Sequence, residues 1–197
     1  MAARGAHEAG ATMADLFDVP LLPGLHTADA LIDADEERML IARIDATDLT
    51  PFRFQGWTGK RLTSAFGWSY DFAIGRPVEA PPIPDWLHPF RERAAVFAGL
   101  DPAALIQALL IRYDPGAGIG WHRDRPIYGD VVGVSLGAPA AMRFRRRRGT
   151  GFDRVSVPLA PRGVYRLGGD ARHLWEHSIA PLTRPRWSIT FRSLATA

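Results

Sequence analysis

The sequence predicts a mostly β chain with flanking helices, an α+β arrangement whose strands close into an antiparallel barrel or jelly roll. Three observations carry that expectation. From residue 104 onward the chain breaks into eight short strand-like runs separated by Gly/Pro turns. Before residue 100 lie two amphipathic helical patterns, suited to packing outside a sheet. The last run, RWSITFR at 186–192, alternates polar and apolar residues at the period of a strand.

In chain order, residues 1–20 read as a flexible leader in which Met13 offers a second start. LLPGL at 21–25 enters the domain as a strand or turn. Asp33 precedes ADEERMLIARID, where acidic residues in the first turn and apolar Met39, Leu40, Ile41 and Ile44 specify a helix. Residues 51–78 are rich in aromatics, glycine and positive charge and predict broken strands and loops. In PPIPDWLHPFRERAAVFAG, Asp85 is the expected N-cap of a second helix, Pro89 sits near its start and Gly99 ends it. Trp86, Leu87, Phe90, Ala94 and Phe97 form its apolar stripe. The eight runs then follow: LIQALLIRY, IGWHRD, DVVGVSL, AAMRFRR, RVSVPL, GVYRL, HLWEHSI and WSITFRSL.

A chain of 197 residues, 47% of them hydrophobic, suffices for one domain with a sizeable core, expected to span 21–197. The sequence has no cysteine, which excludes disulfides, thiolate metal sites and cysteine nucleophiles. Any metal must take nitrogen and oxygen ligands, with six histidines on offer. No stretch approaches the roughly 18 apolar residues of a membrane span, and the N-terminus lacks the apolar block of a signal peptide. A cytoplasmic monomer is the expectation. The net charge of +3 is carried almost wholly by arginine, with Lys60 the single lysine, and is a weak argument for a nucleic-acid partner.

WHRD at 121–124 sets His122 and Asp124 two residues apart, on one face if the run is a strand. A later histidine would complete two imidazoles and one carboxylate, a facial set that suits non-haem Fe(II) and leaves positions open. His177 and His173 both qualify, and lying four residues apart they share strand parity. His7, His26 and His88 read as structural or solvated. In the last run, alternation groups Arg186, Ser188, Thr190 and Arg192 on one face and Trp187, Ile189 and Phe191 on the other. Two guanidiniums pointing inward need partners. Internal carboxylates would serve, and so would a dicarboxylate ligand held in bidentate forks.

RYDPGAGIGWHRD (112–124), VVGVSLGAPAAMRFR (131–145), RHLWEHSI (172–179) and RWSITFR (186–192) resemble the AlkB family of Fe(II)/2-oxoglutarate dioxygenases. GWTGKRLTSAFGWSYDF (56–72) is similar to the region before the core in that family. The resemblance implies a double-stranded β-helix over residues 101–197, preceded over 21–100 by helices and a substrate-recognition region. It implies His122, Asp124 and His177 as iron ligands, which selects His177 over His173. It further implies that Arg186 and Tyr113 bind the distal carboxylate of 2-oxoglutarate and that Arg192 lies beside its iron-proximal end. Some members carry Asn where this chain has Ile111, so that contact is lost or reshaped here.

The implied activity consumes O2 and 2-oxoglutarate and demethylates N-alkylated nucleobases in DNA or RNA, releasing formaldehyde, succinate and CO2. Arg61, Phe66, Trp68 and Tyr70 are the candidate substrate residues, within an aromatic and basic stretch suited to a flipped base. The run Arg143, Arg145, Arg146, Arg147 and Arg148 before GTGFD predicts a solvated cationic hairpin tip. Alternative targets are proteins or small molecules. A non-catalytic nucleic-acid-binding module and a cupin-like enzyme without 2-oxoglutarate are rivals that the intact ligand set and the two arginines oppose.

Overall fold

The computed structural model describes residues 22–54, 57–71 and 75–195. The expected leader, with Met13, lies outside them. A turn at 22–24 leads into β1 (Leu25–Ala28), which carries His26. Helix α1 (Ala34–Asp45) starts where Asp33 accepts from the amides of Asp35 and Glu36, both at 2.8 Å, while the Glu36 carboxylate receives the Asp33 amide at 3.0 Å. Glu36 also receives Arg93 of the second helix at 2.6 Å, and Glu37 takes the Gly137 amide at 2.8 Å. One acidic first turn therefore caps the helix and ties it to its neighbours.

Strands β2 (Thr50–Phe54), β3 (Trp57–Phe66), β4 (Trp68–Asp71) and β5 (Arg76–Glu79) follow, broken as the composition of 51–78 predicts. Gly67, at φ 74°, turns the chain between β3 and β4, where an added Cβ would meet the Ile106 carbonyl at 2.1 Å. The second helix departs from expectation at its start. Asp85 opens a 3-10 turn (Asp85–Leu87), and α2 (His88–Ala98) begins after it with no side-chain cap. Pro89 explains this, because a proline in the first turn needs no amide partner and fixes the helical φ. Gly99 ends the helix in the left-handed conformation at φ 64°.

The eight runs become β6 (Leu105–Tyr113), β7 (Ile119–His122), β8 (Tyr128–Gly137), β9 (Ala140–Arg148), β10 (Gly151–Leu159), β11 (Val164–Leu167), β12 (Glu176–Ile179) and β13 (Arg186–Leu194). A short helix, α3 (Gly169–His173), which periodicity did not foretell, precedes β12. A seven-stranded sheet runs β1-β11-β8-β13-β6-β3-β2, and a four-stranded sheet runs β10-β9-β12-β7. All the paired strands are antiparallel.

Alternation divides the large sheet into two faces. Val132, Val134 and Leu136 of β8 and Ile189 and Phe191 of β13 pack with Leu40, Ile44, Leu87, Phe90 and Ala94 of the helical side. Val131, Tyr165 and Leu167 instead join Met142, Phe144, Val157 and Ile179 of the small sheet in an inner core. The predicted jelly roll with external helices is what forms. Its inner face carries the polar side of β13. Among the described residues no helix is long and apolar enough to cross a membrane.

Candidate active site

Strands β7 and β12 pair with His177 directly opposite His122, and their ring centroids lie 4.2 Å apart. Strand β7 ends at His122, so Asp124 projects from the loop beyond it and not from the strand itself. Arg172 supplies what the strand does not. Its guanidinium, 3% exposed, donates to the carbonyls of Arg125 and Tyr128 at 2.6 Å, Gly129 at 2.8 Å and Asp124 at 3.2 Å. Four carbonyls on one buried cation hold the loop that carries Asp124. Ligand atoms of His122, Asp124 and His177 then lie within 4.8 Å of one another, close enough to hold a metal ion.

Electrostatics keeps all three groups in the form a cation needs. Burial, with the neighbouring His122, pushes His177 down to about 3, so its imidazole is neutral at physiological pH. Burial also lowers His122. Its Nδ1 lies 2.9 Å from the Gly120 carbonyl, which can only accept, leaving Nε2 with the lone pair. Burial opposes ionisation of Asp124, but Arg192, His177 and His122 outweigh it and hold the carboxyl well below the usual carboxylate range. His173, the rival to His177, is exposed, and only its carbonyl is used, accepting from Arg123.

The two arginines of β13 have different partners. Arg192 finds an internal carboxylate, donating to Asp124 through Nε at 2.9 Å and Nη2 at 2.8 Å, and to Gln107 at 2.9 Å. Arg186 finds none. It is 1% exposed, bonds Ser135 through Nη2 at 2.9 Å, lies 5.3 Å from the Tyr113 ring, and leaves Nε and Nη1 without an acceptor. Both arginines border a small hollow of about 40 Å³, partly open to solvent, that also reaches His122, Asp124, His177 and Tyr113. Its walls are otherwise largely apolar, among them Ile111, Val131, Met142, Leu167 and Ile179. Ile111 thus offers no polar contact. Unmatched N–H groups on a buried cation fit a carboxylate, and a neutral imidazole pair with a carboxylate fits a divalent transition metal.

The candidate substrate residues separate. Arg61 is 9% exposed and sits over the Phe52 ring at 4.0 Å, close enough to Asp124 and Arg192 for its charge to act on both. Tyr70 donates to the Gly75 carbonyl at 2.7 Å, and Arg125, next to Asp124, lies 4.8 Å from its ring. The Trp68 carbonyl accepts from Gln107 at 2.6 Å, which links β4 to the site through its backbone. Phe66 is a correction. It packs against the helical core, because its place in β3 turns it to the opposite face.

The arginine run follows β9 into the β9–β10 hairpin turn as expected, with Arg147 and Arg148 exposed at its tip, while Arg145 pairs with Glu176 at 2.6 Å and Arg146 and Arg148 with Asp153 at 3.4 Å. Arg145 also packs over Trp121 and Phe152. Sequence reasoning missed Arg172, Gln107, Ser135, Tyr128 and Tyr165. Gln107, a lone amide inside the apolar run LIQALLIRY, is the one whose pattern signalled a buried polar role.

Comparison with known proteins agrees with this geometry. The pattern of the 2OG-Fe(II) oxygenase superfamily matches residues 57–192. The chain is 29% identical over 166 residues to the tRNA (carboxymethyluridine(34)-5-O)-methyltransferase ALKBH8 of Macaca fascicularis, covering 81% of this chain and 24% of that one. It thus spans about a quarter of the length of that relative. It is 30% identical over 148 residues to the alpha-ketoglutarate-dependent dioxygenase AlkB of Escherichia coli, covering 70% of this chain and 66% of that one. The solved structure of OsALKBH1 superposes with a TM-score of 0.66 at 20% identity, covering 88% of this chain and 99% of that one. The chain belongs to the 2OG-Fe(II) oxygenase superfamily, and AlkB is among the proteins it is similar to.

Proposed function

We infer that the enzyme demethylates N-alkylated nucleobases in nucleic acid, with iron held by His122, Asp124 and His177 and 2-oxoglutarate anchored on Arg186. The observation that carries the cosubstrate assignment is the pair of unmatched N–H groups on Arg186, buried in the same hollow as the metal-competent triad. A carboxylate satisfies both at once, and Tyr113 stands beside it. Arg192 steers Asp124, leaving the second carboxylate oxygen, 3.6 Å from His177, for the metal.

When bound, the iron and its cosubstrate supply oxidation of a C–H bond at the expense of O2, with succinate and CO2 released. The protein's part is positional. Its neutral imidazoles present lone pairs, its apolar walls exclude water, and Arg172 keeps the Asp124 loop in place. Hydroxylation of an N-methyl group gives a hemiaminal that expels formaldehyde. Nucleic acid as the target is supported by the relatives, which include a tRNA-modifying enzyme and AlkB. It is supported too by the arginines and aromatics of β3, β4 and β9 beside the site.

Anaerobic addition of Fe(II) and 2-oxoglutarate is expected to produce a weak visible charge-transfer band, lost in His177→Ala. Absence of binding by both in calorimetry would refute the metal and cosubstrate assignments. Methylated single-stranded DNA and RNA should then release formaldehyde under air. Succinate without formaldehyde from any of them moves the substrate to a protein or small molecule.

A further inference from the structure

Tyr165 is a buried phenol outside the metal-ligand set. It lies on β11 opposite Gly133 of β8, and Gly133 in turn faces Thr190 of β13. A Cβ on Gly133 would collide with Cζ and the hydroxyl oxygen of Tyr165. The phenol therefore lies across the inner face of the large sheet, from β11 over β8 towards β13, in the space a side chain at 133 would take. Neighbouring strands are about 4.8 Å apart, within the reach of a tyrosine. The hollow that Tyr165 lines is bordered from β13 by Arg186, Ser188 and Thr190.

Burial pushes the phenol up to about 12, so it keeps its proton at neutral pH. Arg186 is the charged group that acts on it most strongly, ahead of Asp124 and Arg192. Among the described residues its hydroxyl has no hydrogen-bond partner, although a buried tyrosine usually finds one. Asp124, the one carboxylate bordering the hollow, is committed to Arg192 and the triad. The hydroxyl of Tyr165 and the two open N–H groups of Arg186 thus share one small hollow and lack an acceptor there.

We propose that Tyr165 is a specificity-determining residue of the cosubstrate site, donating its O–H to the distal carboxylate that Arg186 holds. This rests on the assignment of the cosubstrate to Arg186 above. A carboxylate has about four acceptor positions. A guanidinium fork takes two of them, and the phenols of Tyr113 and Tyr165 match the remainder. A 2-oxo acid without that second carboxylate leaves these buried donors unmatched, which is how a polar site rejects an analogue of similar shape. Gly133 is what admits the phenol, because any side chain there would turn it out of the hollow.

The test titrates the Fe(II)-loaded protein without oxygen, using 2-oxoglutarate and 2-oxobutyrate, which has a hydrogen in place of the distal carboxylate. The visible charge-transfer band reports binding of either acid, since both carry the same 2-oxo acid group. Tyr165→Phe removes the hydroxyl and keeps the ring. It should weaken 2-oxoglutarate roughly ten- to hundredfold, the scale of a hydrogen bond to a charged group, and leave 2-oxobutyrate unchanged. Gly133→Ala keeps the hydroxyl but displaces it, and should give the same selective loss. Thermal melting of the metal-free proteins checks that each variant is folded.

Unchanged 2-oxoglutarate affinity in Tyr165→Phe overturns the proposal while leaving the cosubstrate reading intact. So does an equal loss for both acids, since that marks Tyr165 as packing around the metal centre. If the wild type binds neither Fe(II) nor 2-oxoglutarate, the cosubstrate reading itself fails and this assignment falls with it.

Discussion

Replacing Arg186 by methionine should stabilise the protein measured without cosubstrate and abolish the stabilisation that 2-oxoglutarate confers. Methionine follows the path of the arginine stem and fills similar space without a charge. In the wild type two buried N–H groups of Arg186 lack acceptors, at a cost of about 1–3 kcal/mol each. Against this stands the hydrogen bond to Ser135 at 2.9 Å, worth about 1–2 kcal/mol with the hydroxyl left unmatched. The balance is a gain of about 0–5 kcal/mol, and each kcal/mol raises Tm by roughly 2–4 °C in a chain of this size. The wild type, in contrast, should gain about 2.7 kcal/mol at a 2-oxoglutarate concentration one hundred times its Kd. Differential scanning fluorimetry of both proteins, with and without 2-oxoglutarate and with the metal kept constant, measures all four states. A variant that melts below the wild type without cosubstrate would show that Arg186 is a structural cation already satisfied by its surroundings. An equal 2-oxoglutarate shift in both would remove Arg186 from the binding site.

Three further outcomes follow from the same geometry. Arg172→Ala should lower iron affinity about 10–100-fold, read by titration against a chelator, because four carbonyls around the Asp124 loop lose their donor; unchanged affinity would mean that the loop holds itself. Gly133→Ala should destabilise by about 1–3 kcal/mol in urea melts, since its Cβ would stand 2.1 Å from the Tyr165 ring. Free rotation of that ring away from the site, with no loss of stability, would contradict it. Finally, burial pushes His177 down to about 3 in the folded state, below its ordinary value near 6.5. The unfolded chain takes up that proton first, so stability of the metal-free protein is complete above about pH 6.5 and declines as pH falls towards 3. Urea midpoints between pH 7.5 and 4.5 should show this slope, and His177→Gln should flatten it; a flat wild-type profile refutes the buried neutral imidazole.

Helices α1 and α2, the strands of the core and the sidedness of β13 were legible because each is a local pattern. Asp33 and Glu36 cap a helix through groups three residues apart, and polar–apolar alternation in RWSITFR states which residues share a face. His122 and Asp124 were legible for the same reason, being near neighbours in the chain. Phe66 was misjudged because the aromatic content of 54–72 does not say which face of β3 meets the site; register against β6 does.

The amino-acid sequence by itself determined the fold class, the absence of thiol chemistry and the residue types available to a metal and a dicarboxylate. The tertiary structure decided which arginine is free for a ligand. Arg186 and Arg192 have the same sidedness on one strand, yet Arg192 reaches Asp124 while Arg186 ends where only Ser135 can meet it. It decided too that Arg172 holds the Asp124 loop and that Arg61, buried over Phe52, brings its charge to bear on Asp124. Those facts depend on contacts between residues dozens of positions apart, and no periodicity along the chain encodes them.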